Sequence, residues 1–114
     1  MKFKLPLSTT GCLVLALAAV GPVHAAVDAT AAQDLMESNK CFRCHSIEKT
    51  KTGPSLKSVA AKYKGKAEGE DNIIKTITTG RKVKLSDGTE EDHKIIKPQD
   101  PAKLKNLAQW VLAQ

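Results

Sequence analysis

Apolar positions recur at helical spacing in four stretches of this chain. Ala29 to Lys40 carries Ala32, Leu35 and Met36 on one side and reads as a helix. Ser55 to Lys64 follows a Gly53-Pro54 break, repeats Leu56, Val59, Ala60 and Tyr63 at i, i+3, i+4 and i+7, and stops at Gly65. A third helix is predicted from about Asp71 to Thr79, with Asp71 or Asn72 as cap, Ile73, Ile74 and Ile77 facing inward, and Gly80 as stop. Its β-branched content weakens the local helical preference. The last stretch opens with Asp100-Pro101, a cap followed by proline at the first helical position, and continues with the stripe Leu104, Leu107, Ala108 and Val111. Between Gly80 and Gln99 no period persists; Asp87-Gly88 signals a turn, the acidic run Glu90-Glu91-Asp92 follows, then His93. That segment reads as an ordered loop. With no repeats and no convincing strands, the pattern predicts an all-α fold of several short helices around a central object.

The start of the chain has a different pattern. Met1 to Ala25 has Lys2 and Lys4, then an apolar run from Leu13 to Ala18, then Val23-His24-Ala25. This is the order of a secretory leader cut after Ala25, leaving one domain over residues 26–114. A membrane anchor would need about 20 continuous apolar residues, which this run lacks. Cys12 precedes most of the apolar run instead of following it, which argues against lipid attachment there. Removing residues 1–25 takes away two lysines, so 16 basic side chains face 12 acidic ones, a formal charge of +4.

The exported part has Phe42, Tyr63 and Trp110 as its only aromatic side chains other than histidine, so it can build only a thin core. Domains of this size commonly need a staple. Cys41 and Cys44 would close too small a disulfide loop to stabilise much. A cofactor in the middle answers the deficit better.

Cys41-Phe42-Arg43-Cys44-His45 is C-x-x-C-H, the signature of c-type haem attachment. Two thiols three residues apart can reach the two vinyl groups on one porphyrin edge, and the histidine that follows then faces the iron. A thioredoxin-like redox pair would require a βαβ setting, which is missing. A zinc site would need two further ligands, whereas only His93 remains among histidines and cysteines after the leader. A surface disulfide would explain neither His45 nor the thin core.

The chain here resembles the class I c-type cytochromes, in particular the small bacterial periplasmic ones. The matching residues are the helix ending in C-F-R-C-H, then Gly53-Pro54-Ser55-Leu56, the Tyr63-Lys64-Gly65 turn, and the closing Leu107-Ala108-Gln109-Trp110-Val111-Leu112. The resemblance covers nearly all of residues 26–114. It implies three to five short helices around one covalently bound haem c, with the first and last helices crossing near Leu35 and Trp110. It also implies that the Pro54 carbonyl accepts a hydrogen bond from the His45 ring, a bond that orients the ligand and raises its basicity.

One departure stands out. Members of that family usually place a methionine on the other face of the iron, from the loop before the last helix; after the leader this chain has only Met36, on the first helix. The corresponding loop reads Asp92-His93-Lys94-Ile95-Ile96-Lys97-Pro98, which makes His93 the expected sixth ligand and the haem bis-histidine. The potential would then be lower than in a methionine-ligated relative, because a thioether raises it. An isolated loop histidine among charges is more often simply solvated. In that case Lys94 or Lys97 would be the ligand, or the sixth position would be vacant.

Charge narrows the partners. Lysines and arginines around the haem edge would steer an acidic redox protein, although an ordinary solvated surface has the same composition. Export and the absence of interleaved aromatics count against nucleic acid. The expectation is a periplasmic, non-enzymatic one-electron carrier between a dehydrogenase and a downstream acceptor, with no stable membrane insertion once the leader is gone. The competing reading is a haem protein with an open or displaceable distal site that binds gases, senses, or acts as a weak peroxidase.

Overall fold

A computed structural model describes residues 2–3, 18–21 and 25–114 of the protein. Leu13 to Leu17 of the leader's apolar run, Cys12 and the Val23-His24 pair lie outside the described residues.

Helix α1, Ala29–Ser38, starts where the Asp28 carboxylate accepts a bond from the Ala31 N–H at 2.9 Å. A 3₁₀ turn, Cys41–Arg43, follows it after the two residues Asn39 and Lys40. Helix α2, Leu56–Tyr63, is capped by the Ser55 hydroxyl, which accepts from the Ser58 N–H at 3.1 Å. Helix α3, Gly69–Thr79, ends at Gly80, whose φ of 64° suits glycine. Helix α4, Pro101–Leu112, has Asp100 as its cap, accepting from the Lys103 N–H at 3.0 Å, and proline at its first position. All four helices lie where the apolar spacing predicts them.

Two details differ from the expectation. Helix α3 begins at Gly69, not near Asp71, and no side chain caps it; Glu70 and Asp71 sit in its first turn, where negative charge favours the helix dipole. Capping acids and first-turn acids look alike in a sequence. What fixes the earlier start is packing: Gly69 is buried, and a Cβ there would lie 2.9 Å from the Tyr63 Cβ. The second difference is that residues 80–99 contain strands. β1, Lys82–Lys84, pairs antiparallel with β2, Glu90–Asp92, in the register Lys82↔Asp92, Val83↔Glu91, Lys84↔Glu90. Each strand is three residues long and largely exposed, so no apolar alternation announces it. Opposite charges face each other across the pair instead, with Lys82 and Asp92 in contact at 3.1 Å.

Among the described helices, α4 is the one against which α1, α2 and α3 all pack. It contributes Leu104, Leu107, Ala108, Trp110 and Val111 to a core completed by Ala32, Leu35, Met36, Leu56, Ile73 and Ile96. Leu35 and Trp110 therefore belong to one cluster, as expected for crossing terminal helices. The most enclosed members, Ala32 and Ala108, are also the smallest on their faces, and small side chains let helix axes approach closely. Ile96 is the surprise: it comes from the loop and is 2% exposed.

Candidate functional site

The end of α1 turns sharply into the cysteine segment. Lys40 takes a left-handed conformation, φ 59°, unusual for a residue with a side chain, and redirects the chain. In the 3₁₀ turn that follows, the Cys44 and His45 N–H groups both donate to the Cys41 carbonyl, at 3.1 and 3.0 Å. Residues three apart eclipse in such a turn, which brings Cys41 and Cys44 to the same side. Both are free thiols and half-buried. Burial pushes the Cys41 thiol above its ordinary pKa, with the nearby Lys94 charge acting against it.

His45 is held from the Gly53-Pro54 side. Its Nδ1 lies 2.7 Å from the Pro54 carbonyl oxygen, as the family resemblance implies. A carbonyl can only accept, so Nδ1 carries the proton and Nε2 keeps a free lone pair. The neighbouring backbone makes this approach possible: the Gly53 N–H donates to the Cys44 carbonyl at 2.9 Å, and a Cβ on Gly53 would sit 2.9 Å from the His45 Cε1. Lys51 closes the same loop, its Nζ donating to the Phe42 carbonyl at 2.6 Å. Burial holds the His45 pKa below its ordinary value, the Pro54 carbonyl opposes this, and the charges of His93 and Lys51 reinforce it. The shift favours the neutral ring, the form that binds metals.

His93 comes from the other side, immediately after β2. Its N–H donates to the Arg81 carbonyl at 3.0 Å, continuing the hairpin ladder by one residue. Its Nδ1 lies 2.8 Å from the Lys94 carbonyl oxygen, which again assigns the proton to Nδ1 and leaves Nε2 free. The hairpin reaches the proximal side as well, because the Ser86 N–H donates to the Thr52 carbonyl at 3.0 Å.

The two imidazole rings, 48 positions apart in sequence, have centroids 6.1 Å apart and planes tilted by 37°. One metal ion bonded to a nitrogen of each ring at about 2.0 Å would separate the centroids by about 6 Å. The donor set therefore fits an iron between His45 and His93, with two thiols beside it for covalent attachment. The rival donors are placed differently: Met36 is 4% exposed within the core, and Lys94 and Lys97 have exposed side chains. Three features of the site have no clear signal in the sequence. They are the Lys51 clamp, the paired strands that lead into His93, and Asn39, whose buried side chain bonds to the backbone of Lys97.

Known proteins resemble this chain in sequence and in fold. The sequence model described as Cytochrome c matches residues 29–112. The chain is 35% identical over 83 residues to cytochrome c-551 of Azotobacter vinelandii, covering 70% of this chain and 93% of that one. Its fold is similar to the crystal structure of the class 1 cytochrome MtoD from Sideroxydans lithotrophicus ES-1, with a TM-score of 0.73, 48% identity, and coverage of 77% of this chain and 97% of that one. It is also similar to wild-type cytochrome c552 of Nitrosomonas europaea, with a TM-score of 0.58, 30% identity, and coverage of 70% and 95%.

Proposed function

The chain belongs to the cytochrome c family, binds one haem c covalently and carries electrons, and on that premise we propose that it does so as a bis-histidine cytochrome of the periplasm. In this reading Cys41 and Cys44 form the thioether links, while His45 and His93 are the axial ligands. The observation that carries it is the facing pair of imidazoles, 6.1 Å between centroids, each with its Nδ1 proton committed to a backbone carbonyl. When bound, the haem supplies a one-electron couple at its iron.

The chain's own residues supply the rest. The Pro54 and Lys94 carbonyls orient the two rings and increase their basicity by accepting hydrogen bonds from the Nδ1–H groups. Histidine in place of a thioether lowers the potential relative to methionine-ligated members of the family. His45 and His93 together would leave no iron position for a substrate, which favours a carrier over an enzyme. Lys40, Arg43, Lys51 and Lys94 are exposed around the cysteine segment and give an acidic dehydrogenase or acceptor protein a place to dock. The leader pattern of residues 1–25 supports export and cleavage after Ala25.

Absorption spectra of oxidised and dithionite-reduced protein test the ligand pair. The expected spectrum is six-coordinate and low-spin, and carbon monoxide leaves it unmoved. His93→Ala should open the distal position, so that the reduced form binds carbon monoxide. A variant whose spectrum and potential match the parent's would remove His93 from the ligand set. A parent protein that is high-spin and binds carbon monoxide readily would favour the open-site reading.

A further inference from the structure

We propose that Asn39 is the positioning residue for the distal ligand: its side chain locks the His93 loop to the end of α1 and thereby keeps His93 on the iron. This rests on His93 being a ligand. The distal loop needs such a lock, since residues 93–99 lie between the hairpin and α4 and belong to no regular element. Their neighbours are charged and exposed, and hydrophobic burial holds only one of them, Ile96.

Besides a long bond from the Gln99 Nε2 to the Thr78 carbonyl, 3.4 Å, three contacts fix the loop. At its start the His93 N–H bonds to the Arg81 carbonyl at 3.0 Å, and in its middle the Ile96 N–H bonds to the Ile77 carbonyl at 2.8 Å. At its end Asn39 grips both backbone groups of one residue. Its Oδ1 accepts from the Lys97 N–H at 2.9 Å, and its Nδ2 donates to the Lys97 carbonyl at 2.8 Å. The same Nδ2 donates to the Leu35 carbonyl at 2.9 Å, which anchors the side chain to the last turn of α1. Asn39 is 6% exposed, so its amide stands in place of water for the loop and the helix end together.

The placement of Asn39 gives this grip its meaning. It sits two residues before Cys41, so one side chain ties the attachment segment to the loop that delivers the opposing imidazole. The amide matches the paired donor and acceptor of a peptide unit, and no other short side chain can do this while remaining neutral. Without it, the Lys97 N–H and carbonyl would need water, and the loop would swing away from the rings at lower cost.

The molecule contains its own control. Asn106 makes the same two-bond grip on a different backbone residue, accepting from the Asp28 N–H and donating to the Asp28 carbonyl, both at 2.8 Å. That grip joins the start of α1 to α4 and lies on the exposed surface, outside the His45 and His93 segments.

The experiment measures carbon monoxide binding to the dithionite-reduced holoprotein of Asn39→Ala, Asn106→Ala, His93→Ala and the parent, together with each one's reduction potential and melting temperature. Loss of the buried grip should speed carbon monoxide entry in Asn39→Ala by about tenfold or more over the parent. Asn106→Ala should bind carbon monoxide as the parent does, whatever it loses in stability. The near-isosteric Asn39→Asp, which keeps the acceptor but turns the donor to Lys97 into a repulsion, should shift in the same direction and serves if the alanine variant fails to retain haem. If His93→Ala opens the site while both Asn39 variants exclude carbon monoxide as well as the parent does, the positioning role is overturned. If His93→Ala itself changes nothing, the ligand assignment has failed instead.

Discussion

Gly53 has no side chain because the His45 ring occupies the space one would take. Gly53→Ala would put a methyl group 2.9 Å from Cε1 and 3.2 Å from Nδ1 of that ring, so the ring must turn and weaken its bond to the Pro54 carbonyl. The expected outcome is a loss of about 1–3 kcal/mol in stability, with an altered potential, measured by thermal melts and redox titration of the holoprotein. A potential and melting point equal to the parent's would show that the ring moves freely. At this scale the sequence is legible where chemistry dictates spacing. Cys41, Cys44 and His45 announce themselves by C-x-x-C-H, and the absence of a second usable methionine points to His93. Asn39 and Lys51 are illegible, because their roles consist of bonds to backbone groups on segments 58 and nine residues away. No local pattern encodes such partners.

The helices are readable because each carries its own instructions. Asp100, Pro101 and the stripe of α4 specify start and buried face within one segment, and Asp100→Ala should remove about 1 kcal/mol. For a domain of this size that corresponds to a fall of roughly 4–8 °C in melting temperature. The hairpin announces only its turn, at Asp87-Gly88; its strands are defined by pairing with each other. Its turn does leave a titratable mark. Asp87 accepts from the Thr89 hydroxyl at 2.6 Å and the Thr89 N–H at 2.9 Å, which hold its carboxyl below the usual carboxylate range. Because the folded pKa is depressed, the contribution to stability is complete above the unfolded carboxylate pKa and is lost as pH falls through the folded one. An NMR titration of the Asp87 carboxyl should therefore show it still ionised at pH values where the aspartate of an unstructured peptide has begun to protonate.

At the scale of the whole molecule, the helices converge on α4, yet the core beneath them is small, and among its eleven members only Trp110 is aromatic. Haem would add apolar bulk that so few aromatic side chains cannot supply, so the thin core and C-x-x-C-H point to one cofactor together. Cys41→Ser or Cys44→Ser should reduce haem retention and, with it, cooperative unfolding. Calorimetry of the apoprotein showing a parent-like transition would contradict this account. The backbone bond from Ser86 to Thr52 joins the hairpin carrying His93 to the loop that braces His45. Supports for the two imidazoles are thus parts of one connected frame, not independent arms. In the bis-histidine arrangement proposed above, a frame of this kind would resist displacement of either imidazole when the iron changes charge, so that little nuclear rearrangement would accompany each transfer and exchange would be quick even with a partner of nearly equal potential.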